Sequence, residues 1–176
     1  MAEPVVTLLD RDQAPRYLDH LADILVDVVH GGASVSFMLP FTRDDALAYW
    51  RRILAEVEAG DTVLLGAGGT ADGLDGTVQL RLATPPNQPH RADVAKLLVH
   101  RRARRGGLGR ALMAAVEAEA RRRGRTLLVL DTLAGSEAEP LYQSAGWTAA
   151  GAIPRYALLP EGGEPQATVV FWKRLD

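Results

Sequence analysis

The stretch Arg104-Arg105-Gly106-Gly107-Leu108-Gly109-Arg110-Ala111-Leu112 decides how the rest of this chain is interpreted. An apolar run precedes it over residues 94–99, and apolar residues at helical spacing follow it. We therefore predict a strand, a glycine-rich turn and a helix in succession. Such a turn exposes backbone N–H groups, and a helix N-terminus carries roughly half a positive charge, so a phosphate group would bind well there. Taken alone, the short motif is equally compatible with a strand–helix turn that binds nothing.

Composition limits the function classes. With 176 residues and 47% apolar residues, the chain fits one globular domain spanning 1–176. A net charge of −2 gives no support to a nucleic-acid or membrane partner, and the absence of cysteine excludes disulfides, thiolate zinc sites and a cysteine nucleophile. The four histidines show no metal-ligand spacing, so no metal site is expected. The N-terminus lacks signal-peptide features, and no apolar run is long enough to span a bilayer, so a cytoplasmic protein is expected.

Periodicity and turn residues predict an alternation of strands and helices with no domain boundary. Glycine and proline follow most of the predicted elements, and Thr42 is a predicted N-cap. A hairpin turn is predicted over 66–76 and a loop over 160–165. Strands are predicted over 5–9, 62–65, 77–82, 91–100, 126–131, 147–153 and 167–173, and helices from Asp10 or Asp12 to Gly31, from Thr42 to Gly60, from Gly107 to about Arg123 and from Ser136 to about Ser144.

Four segments together resemble the GNAT superfamily of N-acetyltransferases. The turn has the form Arg-x-x-Gly-x-Gly, like the acyl-CoA binding motif of that superfamily, and it is flanked by residues 96–100 and 129–132. Residues 138–147 resemble its second motif, a helix with a tyrosine followed by a Gly-aromatic pair. Residues 30–35, 87–92 and 130–136 are similar to one subgroup, the tabtoxin-resistance acetyltransferases.

The resemblance implies an α/β fold with a mixed, mostly antiparallel, splayed sheet of six to seven strands and about four helices. It implies acetyl-CoA as co-substrate and direct transfer, within a ternary complex, to the primary amine of a small molecule such as an amino-acid-like toxin or antibiotic. Two alternatives stay open, a protein or peptide N-acetyltransferase and a non-catalytic acyl-CoA-sensing module. A homodimer is common among similar proteins.

The resemblance also assigns residues to the cofactor. The backbone of the strand before the turn would pair with the pantetheine arm, and the backbone N–H groups of the turn would hold the pyrophosphate. These cofactor residues are Leu98, Val99, Arg104, Arg105, Gly106, Gly107, Leu108, Gly109, Arg110 and Ala111. The arginines around the turn could instead bind RNA or DNA, but no aromatic residues alternate with them, so phosphates of CoA explain them better. Residues 121–125 could be only a solvated helix end.

Tyr142 is the predicted general acid, because a phenol at the sulfur can protonate the departing thiolate. The alternative is a tyrosine that only packs on the sheet. Asp131, at the end of a buried strand, either accepts the ammonium proton or anchors the amine; capping the next helix is an equally good interpretation. Asp93 competes as base, although many relatives carry the longer glutamate near this position.

The acceptor side is predicted to include His30, Ser36, Phe37, Asp93 and Tyr156. A histidine that ends an apolar helix stripe is more often structural, but the small residues after His30 favour a substrate contact. The second motif often carries an asparagine seven residues before the tyrosine. Gly135 stands there in this chain, and Ser136 beside it could replace that group or cap a helix.

Overall fold

The computed structural model describes residues 4–68, 73–82 and 84–175. Its strands are β1 (Val5–Leu8), β2 (Thr62–Gly68), β3 (Gly76–Arg81), β4 (Arg91–Val99), β5 (Leu127–Leu133), β6 (Thr148–Leu159) and β7 (Gly162–Arg174). Its α-helices are α1 (Leu18–His30), α2 (Arg43–Ala59), α3 (Leu108–Arg122) and α4 (Ala138–Ser144), with short 3-10 helices at Ala14–Tyr17 and Arg101–Ala103.

The seven strands form one sheet in the order β1-β2-β3-β4-β5-β7-β6. Only β4 and β5 are parallel, and every other neighbouring pair is antiparallel. The parallel pair is joined only where Arg91–Asp93 lies beside Leu127–Val129. Beyond that point the two strands continue without pairing, so the sheet opens between them. The predicted mixed, mostly antiparallel and splayed α/β fold is confirmed.

The two faces of the sheet carry separate apolar cores. Helix α3 covers one face, where Leu112 and Val116 pack on Leu128 and Ala92. Helices α1 and α2 cover the other face over β2 to β4. The main strand contacts of α1 and α2 are with β2, β3 and β4.

Local sequence signals fix the helix ends near the predicted positions. Thr42 and Asp45 form a reciprocal capping box at the start of α2, which satisfies two otherwise unpaired N–H groups. Gly60 ends the same helix in the left-handed conformation, with φ of 82°, which glycine adopts without steric cost. The prediction of this helix from a cap and a terminating glycine is confirmed.

The last two strands are longer than predicted, and the predicted loop over 160–165 is wrong. β6 and β7 form a long hairpin in which Leu159 pairs with Gly162, so only Pro160 and Glu161 make the turn. β6 is an edge strand, and its register with β7 shifts near Gly151 and Pro154, so these two residues can be accommodated within the strand. Part of the predicted 66–76 turn lies outside the described residues, and β2 runs on to Gly68. No helix in the described part of the chain is long and apolar enough to cross a membrane.

Candidate active site

The opening between β4 and β5 is part of a cavity of about 1020 Å³. The glycine-rich turn and the C-terminal half of β4 line one end of this cavity. Residues 31–38, between α1 and α2, and residues 156–158 and 167–168 of the β6–β7 hairpin line the other. β5 and α4 contribute the wall between the two ends. The cavity is therefore one continuous space that joins the predicted cofactor turn to the predicted acceptor side.

The turn is shaped to present backbone N–H groups. Arg105 and Gly107 both have positive φ, at 63° and 83°, so the chain reverses sharply before α3 begins at Leu108. No side chain caps the N-terminus of α3, which leaves its first N–H groups available to a ligand. A Cβ atom added at Gly107 would meet nothing within 4 Å and would point into open space. This geometry fits a pyrophosphate, for which unpaired donors at a helix N-terminus are suited.

Most of the predicted cofactor residues lie on the cavity. Its lining includes Leu98, Val99, Arg104, Arg105, Gly107, Leu108, Gly109 and Arg110. Gly106 and Ala111 are not part of the lining, so their predicted role is limited to the backbone of the turn and helix. The arginine at the turn is unrestrained: Arg105 is highly exposed and its contact with Glu137 is 3.9 Å long.

The other arginines are held within the protein. Arg101 pairs with Asp27, and Arg102 with Asp75. At the far end of α3, Arg122 and Arg123 both bind Glu119. These pairs anchor the two ends of the α3 segment, which leaves the arginines of the turn itself as the ones facing the cavity.

Tyr142 lies on α4 and lines the middle of the cavity. Its ring is buried between Trp147 and Phe171, with centroid distances of 6.2 and 5.7 Å. Burial, and secondarily the negative charge of Asp131, raises the pKa of Tyr142 to about 12, so the phenol keeps its proton at neutral pH. Within the described residues, no hydrogen bond reaches its hydroxyl. A protonated phenol without a partner is suited to donate to a ligand.

The ring of Trp147 is in turn held from behind. Its indole N–H donates to Glu117 over 2.9 Å, and Lys173 donates to the other oxygen of the same carboxylate over 2.7 Å. Lys173 also donates to the carbonyl of Ala145, at the end of α4. This buried network fixes the end of α4 and hence the position of Tyr142.

Asp131 lies within β5 on the cavity wall. One oxygen of its carboxylate lies 3.1 Å from the hydroxyl of Thr168 on β7, and the single proton of that hydroxyl is shared with the carbonyl of Thr132, at 2.8 Å. The next helix begins at Ala138, well beyond Asp131, so the structure does not show the alternative helix-capping role. The carboxylate is left exposed to the cavity, where an amine could reach it.

Of the remaining residues predicted for the acceptor side, some line the cavity and others do not. Ser36, Phe37 and Tyr156 line the cavity. His30 does not line it: its ring nitrogen Nε2 is 2.8 Å from the carbonyl oxygen of Phe41, which ties the end of α1 to the start of α2. Asp93 also lies outside the lining, and its carboxylate is bound by Arg91. The structure therefore brings neither His30 nor Asp93 to the cavity.

Ser136, the residue beside the missing motif asparagine, does line the cavity. Its hydroxyl lies 3.2 Å from that of Thr132. A hydroxyl is therefore present near the place where the motif would carry an amide, but it is engaged with its neighbour on β5.

Sequence reasoning missed two basic residues, Lys96 and Arg81, which both line the cavity. Lys96 occupies an irregularity in β4, with φ of 51°, where the pairing with β3 shifts register. Burial, together with the charges of Arg81 and Arg52, lowers the pKa of Lys96 to about 8, and Asp131 opposes that shift. The one available signal was a lysine within the otherwise apolar run 94–99. No comparable signal marked Arg81, at the end of β3.

Comparison with known proteins gives a family match and several structural neighbours. The family described as acetyltransferase (GNAT) domain matches residues 52–149. The chain resembles the Salmonella typhimurium protein yncA with its cofactor acetyl-CoA at 19% identity and a TM-score of 0.79, covering 99% of this chain and 95% of that one.

Two further neighbours act on different classes of acceptor according to their descriptions. One is a protein provisionally assigned as a phosphinothricin N-acetyltransferase, at 15% identity and a TM-score of 0.78, covering 99% of each chain. The other is the ribosomal-protein-alanine N-acetyltransferase of Brucella melitensis, at 20% identity and a TM-score of 0.74, covering 97% of this chain and 99% of that one. At these identities the neighbours support the fold, and the acceptor has to be argued from the cavity.

Proposed function

Because this chain belongs to the GNAT family of acetyltransferases, enzymes that use acetyl-CoA, we propose that it transfers the acetyl group directly to the primary amine of a small molecule. In this reaction the amine nitrogen forms a bond to the acetyl carbon as the carbon–sulfur bond breaks. The neutral amine loses one proton from nitrogen and the sulfur gains one, and an acceptor that binds as an ammonium first gives up a further proton. Direct transfer suits a chain without cysteine, because no thiol is present to carry the acetyl group.

The donor occupies the end of the cavity at the glycine-rich turn. The backbone N–H groups of Arg105 to Arg110 hold the pyrophosphate at the start of α3, where both unpaired donors and the helix dipole favour negative charge. The pantetheine arm enters the opening between β4 and β5, where Leu98 and Val99 lie on the lining. The unpaired end of β4 gives that arm backbone groups to bind.

Two side chains on the cavity move the protons. Tyr142 keeps its proton at neutral pH and donates it to the departing thiolate. Asp131 attracts the ammonium group of the acceptor and receives its proton directly or through water. The hydroxyl of Thr168 lies beside one oxygen of this carboxylate, which leaves the other for the amine.

The observation that supports a small acceptor is a contact between two segments beside the acceptor end. The backbone N–H of Leu39, in the segment between α1 and α2, donates to the carbonyl of Pro160 at the tip of the β6–β7 hairpin, at 2.8 Å. Lys96 binds the carbonyl of Val35 in the same segment at 2.7 Å. A peptide needs an open groove, and these bonds hold the segment against β4 and the hairpin, next to the acceptor-side residues of the cavity lining. The likeness to the tabtoxin-resistance acetyltransferases supports the same class of acceptor.

The test is a comparison of acceptors with the purified full chain and acetyl-CoA. Release of the CoA thiol and the mass of the product are measured for a panel of small primary amines and a panel of peptides with free N-termini and lysines. We expect at least one small amine to have a higher kcat/KM than every peptide. Preferred acetylation of a peptide would overturn the proposed acceptor class and favour a protein N-acetyltransferase.

A further inference from the structure

Several basic side chains lie at or near the acceptor end of the cavity. Arg81, the last residue of β3, and Lys96, in the register shift of β4, both line it. Arg52 of α2 lies over the ring of Tyr49, at 5.4 Å, and its charge acts on Lys96. Three cations from three different elements therefore surround one region. Burial is the main cause of the lowered pKa of Lys96, and repulsion by Arg81 and Arg52 adds to it.

In the described part of the chain, no carboxylate lies within ion-pair distance of these three cations. Among the described residues neither Arg81, Lys96 nor Arg52 forms an ion pair. Lys96 donates instead to neutral oxygens, the carbonyl of Val35 at 2.7 Å and the hydroxyl of Ser36 at 3.1 Å. The obvious partner of Arg81 is Asp93, which stands opposite it in the β3–β4 register, but Arg91 occupies that carboxylate.

The cofactor phosphates do not account for these cations. Arg81 pairs in register with Asp93 near the start of β4, whereas the glycine-rich turn follows Val99 at the other end of that strand. At about 3.3 Å per residue the two ends are roughly 20 Å apart. Lys96 is held by the acceptor-side segment around Val35. The positive charge therefore belongs to the acceptor region.

Asp131 supplies the opposite charge at the same end. It lies on the cavity wall and raises the pKa of Lys96, so the carboxylate and the ammonium act on each other without forming an ion pair. The other carboxylate on the lining, Glu137, lies beside Arg105 at the cofactor end. The acceptor region thus presents one carboxylate for an ammonium group and, separately, a set of cations for an anion.

We infer that Arg81 and Lys96 form an anion subsite, and that the acceptor carries a carboxylate or similar oxyanion in addition to the amine held at Asp131. This inference rests on the proposed function, because it describes the acceptor of that reaction. An arginine fork and a lysine bind a carboxylate through charge-assisted hydrogen bonds. The acceptor is therefore an amino-acid-like zwitterion. Polyamines and lysine-rich peptides would be repelled by the same cations.

Matched pairs of acceptors test the inference. The full chain is assayed with acetyl-CoA and with L-methionine, L-phenylalanine and L-glutamate against their α-amides, and with 4-aminobutanoate against butylamine. Each pair keeps the amine and differs in one carboxylate. We expect the best acid to exceed its neutral partner in kcat/KM on the order of 10- to 100-fold, the usual worth of a charge-assisted hydrogen bond.

The outcomes separate this inference from the proposed function. Equal or better turnover of the neutral partners or of polyamines would overturn the anion subsite and leave acetyl transfer to a small amine intact. Acetylation of peptides alone would overturn both. Failure of every carboxylate-bearing amine to react would also overturn the subsite, whatever the neutral amines do.

Substitutions of Arg81 and Lys96 test whether these two residues form the subsite. Arg81→Gln and Lys96→Met should lower kcat/KM for the best acid about ten-fold or more and change that for its neutral partner by less than about three-fold. Arg51→Gln is the matched control, since it removes a neighbouring charge of α2 that faces a different surface depression, beside Arg11 and Glu58. An equal loss for both members of a pair would indicate a structural role for Arg81 and Lys96 and contradict the subsite.

Discussion

At the scale of single residues, Tyr142 joins a proposed chemical role to a packing role. Its ring is fixed by Trp147 and Phe171, while its hydroxyl reaches the cavity without a protein partner in the described residues. Aromatic packing sets the position of the oxygen, and burial keeps the proton on it. The two roles can be separated by removing the oxygen alone.

Tyr142→Phe should lower kcat on the order of 100-fold, because the departing thiolate loses its proton donor. The free energy of unfolding should change little, since the ring contacts stay and no hydrogen bond within the protein is lost. Steady-state kinetics and denaturant unfolding measure the two effects. Tyr17→Phe, on the 3-10 helix before α1, is the control and should leave both values near those of the unmodified chain. Unchanged kcat and an unchanged pH profile in Tyr142→Phe would exclude the acid role.

The ionisation of Lys96 predicts that anion binding to the proposed subsite depends on pH. Burial and the nearby arginines lower its pKa to about 8, so its charge is present below that pH and is lost as the pH rises through it. A carboxylate without an amine, 4-(methylthio)butanoate, should therefore inhibit competitively against the acceptor. Its inhibition constant should rise about ten-fold from pH 7 to pH 9 as the charge-assisted contact disappears.

Lys96→Met is the control for that titration, because it removes the ionising group. Its inhibition constant should be higher at pH 7 and nearly constant up to pH 9. A rise of the same size in Lys96→Met would assign the pH dependence to another group.

At the scale of elements, the turn before α3 and the C-terminal end of α2 use the same backbone conformation for different purposes. Gly107 and Gly60 have φ of 83° and 82°, and a Cβ on either would meet nothing within 4 Å. Gly60 ends a helix far from the cavity, whereas Gly107 lies on the cavity lining. Substitutions at these two glycines can therefore distinguish the effect of backbone strain on stability from an effect on the predicted cofactor site.

Gly107→Ala and Gly60→Ala should each lower the free energy of unfolding by about 1 kcal/mol, the usual cost of a left-handed conformation for alanine. Only Gly107→Ala should also raise the KM for acetyl-CoA, by about ten-fold, because the methyl group projects where the pyrophosphate approaches the backbone. Thermal unfolding and initial rates at varied acetyl-CoA check both effects. An equal KM in the two variants would contradict the placement of the pyrophosphate at this turn.

The elements themselves were largely predictable. Helix α2 follows from Thr42 and Gly60, which act on their own neighbours in the chain, and the helix after the turn follows from its glycines and apolar spacing. The extent of the final hairpin was not, because pairing between Leu159 and Gly162 depends on two strands holding each other in register. Local composition at residues 160–165 favoured a loop, but pairing with the neighbouring strand extends β7 back to Gly162.

At the scale of the whole molecule, the cavity exists because the sheet separates between β4 and β5 while the other strands stay paired. The hydrogen bond from Leu39 to Pro160 joins two segments that are distant in the chain, and both segments contribute residues to the cavity lining. The cavity thus has room for the two substrates that the proposed direct transfer requires.

The sequence by itself determined the fold class, the family and the donor end, because the glycine-rich turn, the strand before it and the helix after it are contiguous and act through their own backbone. It also identified Tyr142 and Asp131 as candidates. Only the tertiary structure excluded His30 and Asp93 from the cavity and brought Lys96 and Arg81 into it. The physical reason is that a side chain's partners are set by strand register and by contacts across the sheet, and these are distant in sequence. The turn is therefore the basis of the predicted donor site, and the assembled sheet places the two cations from which we infer the charge of the acceptor.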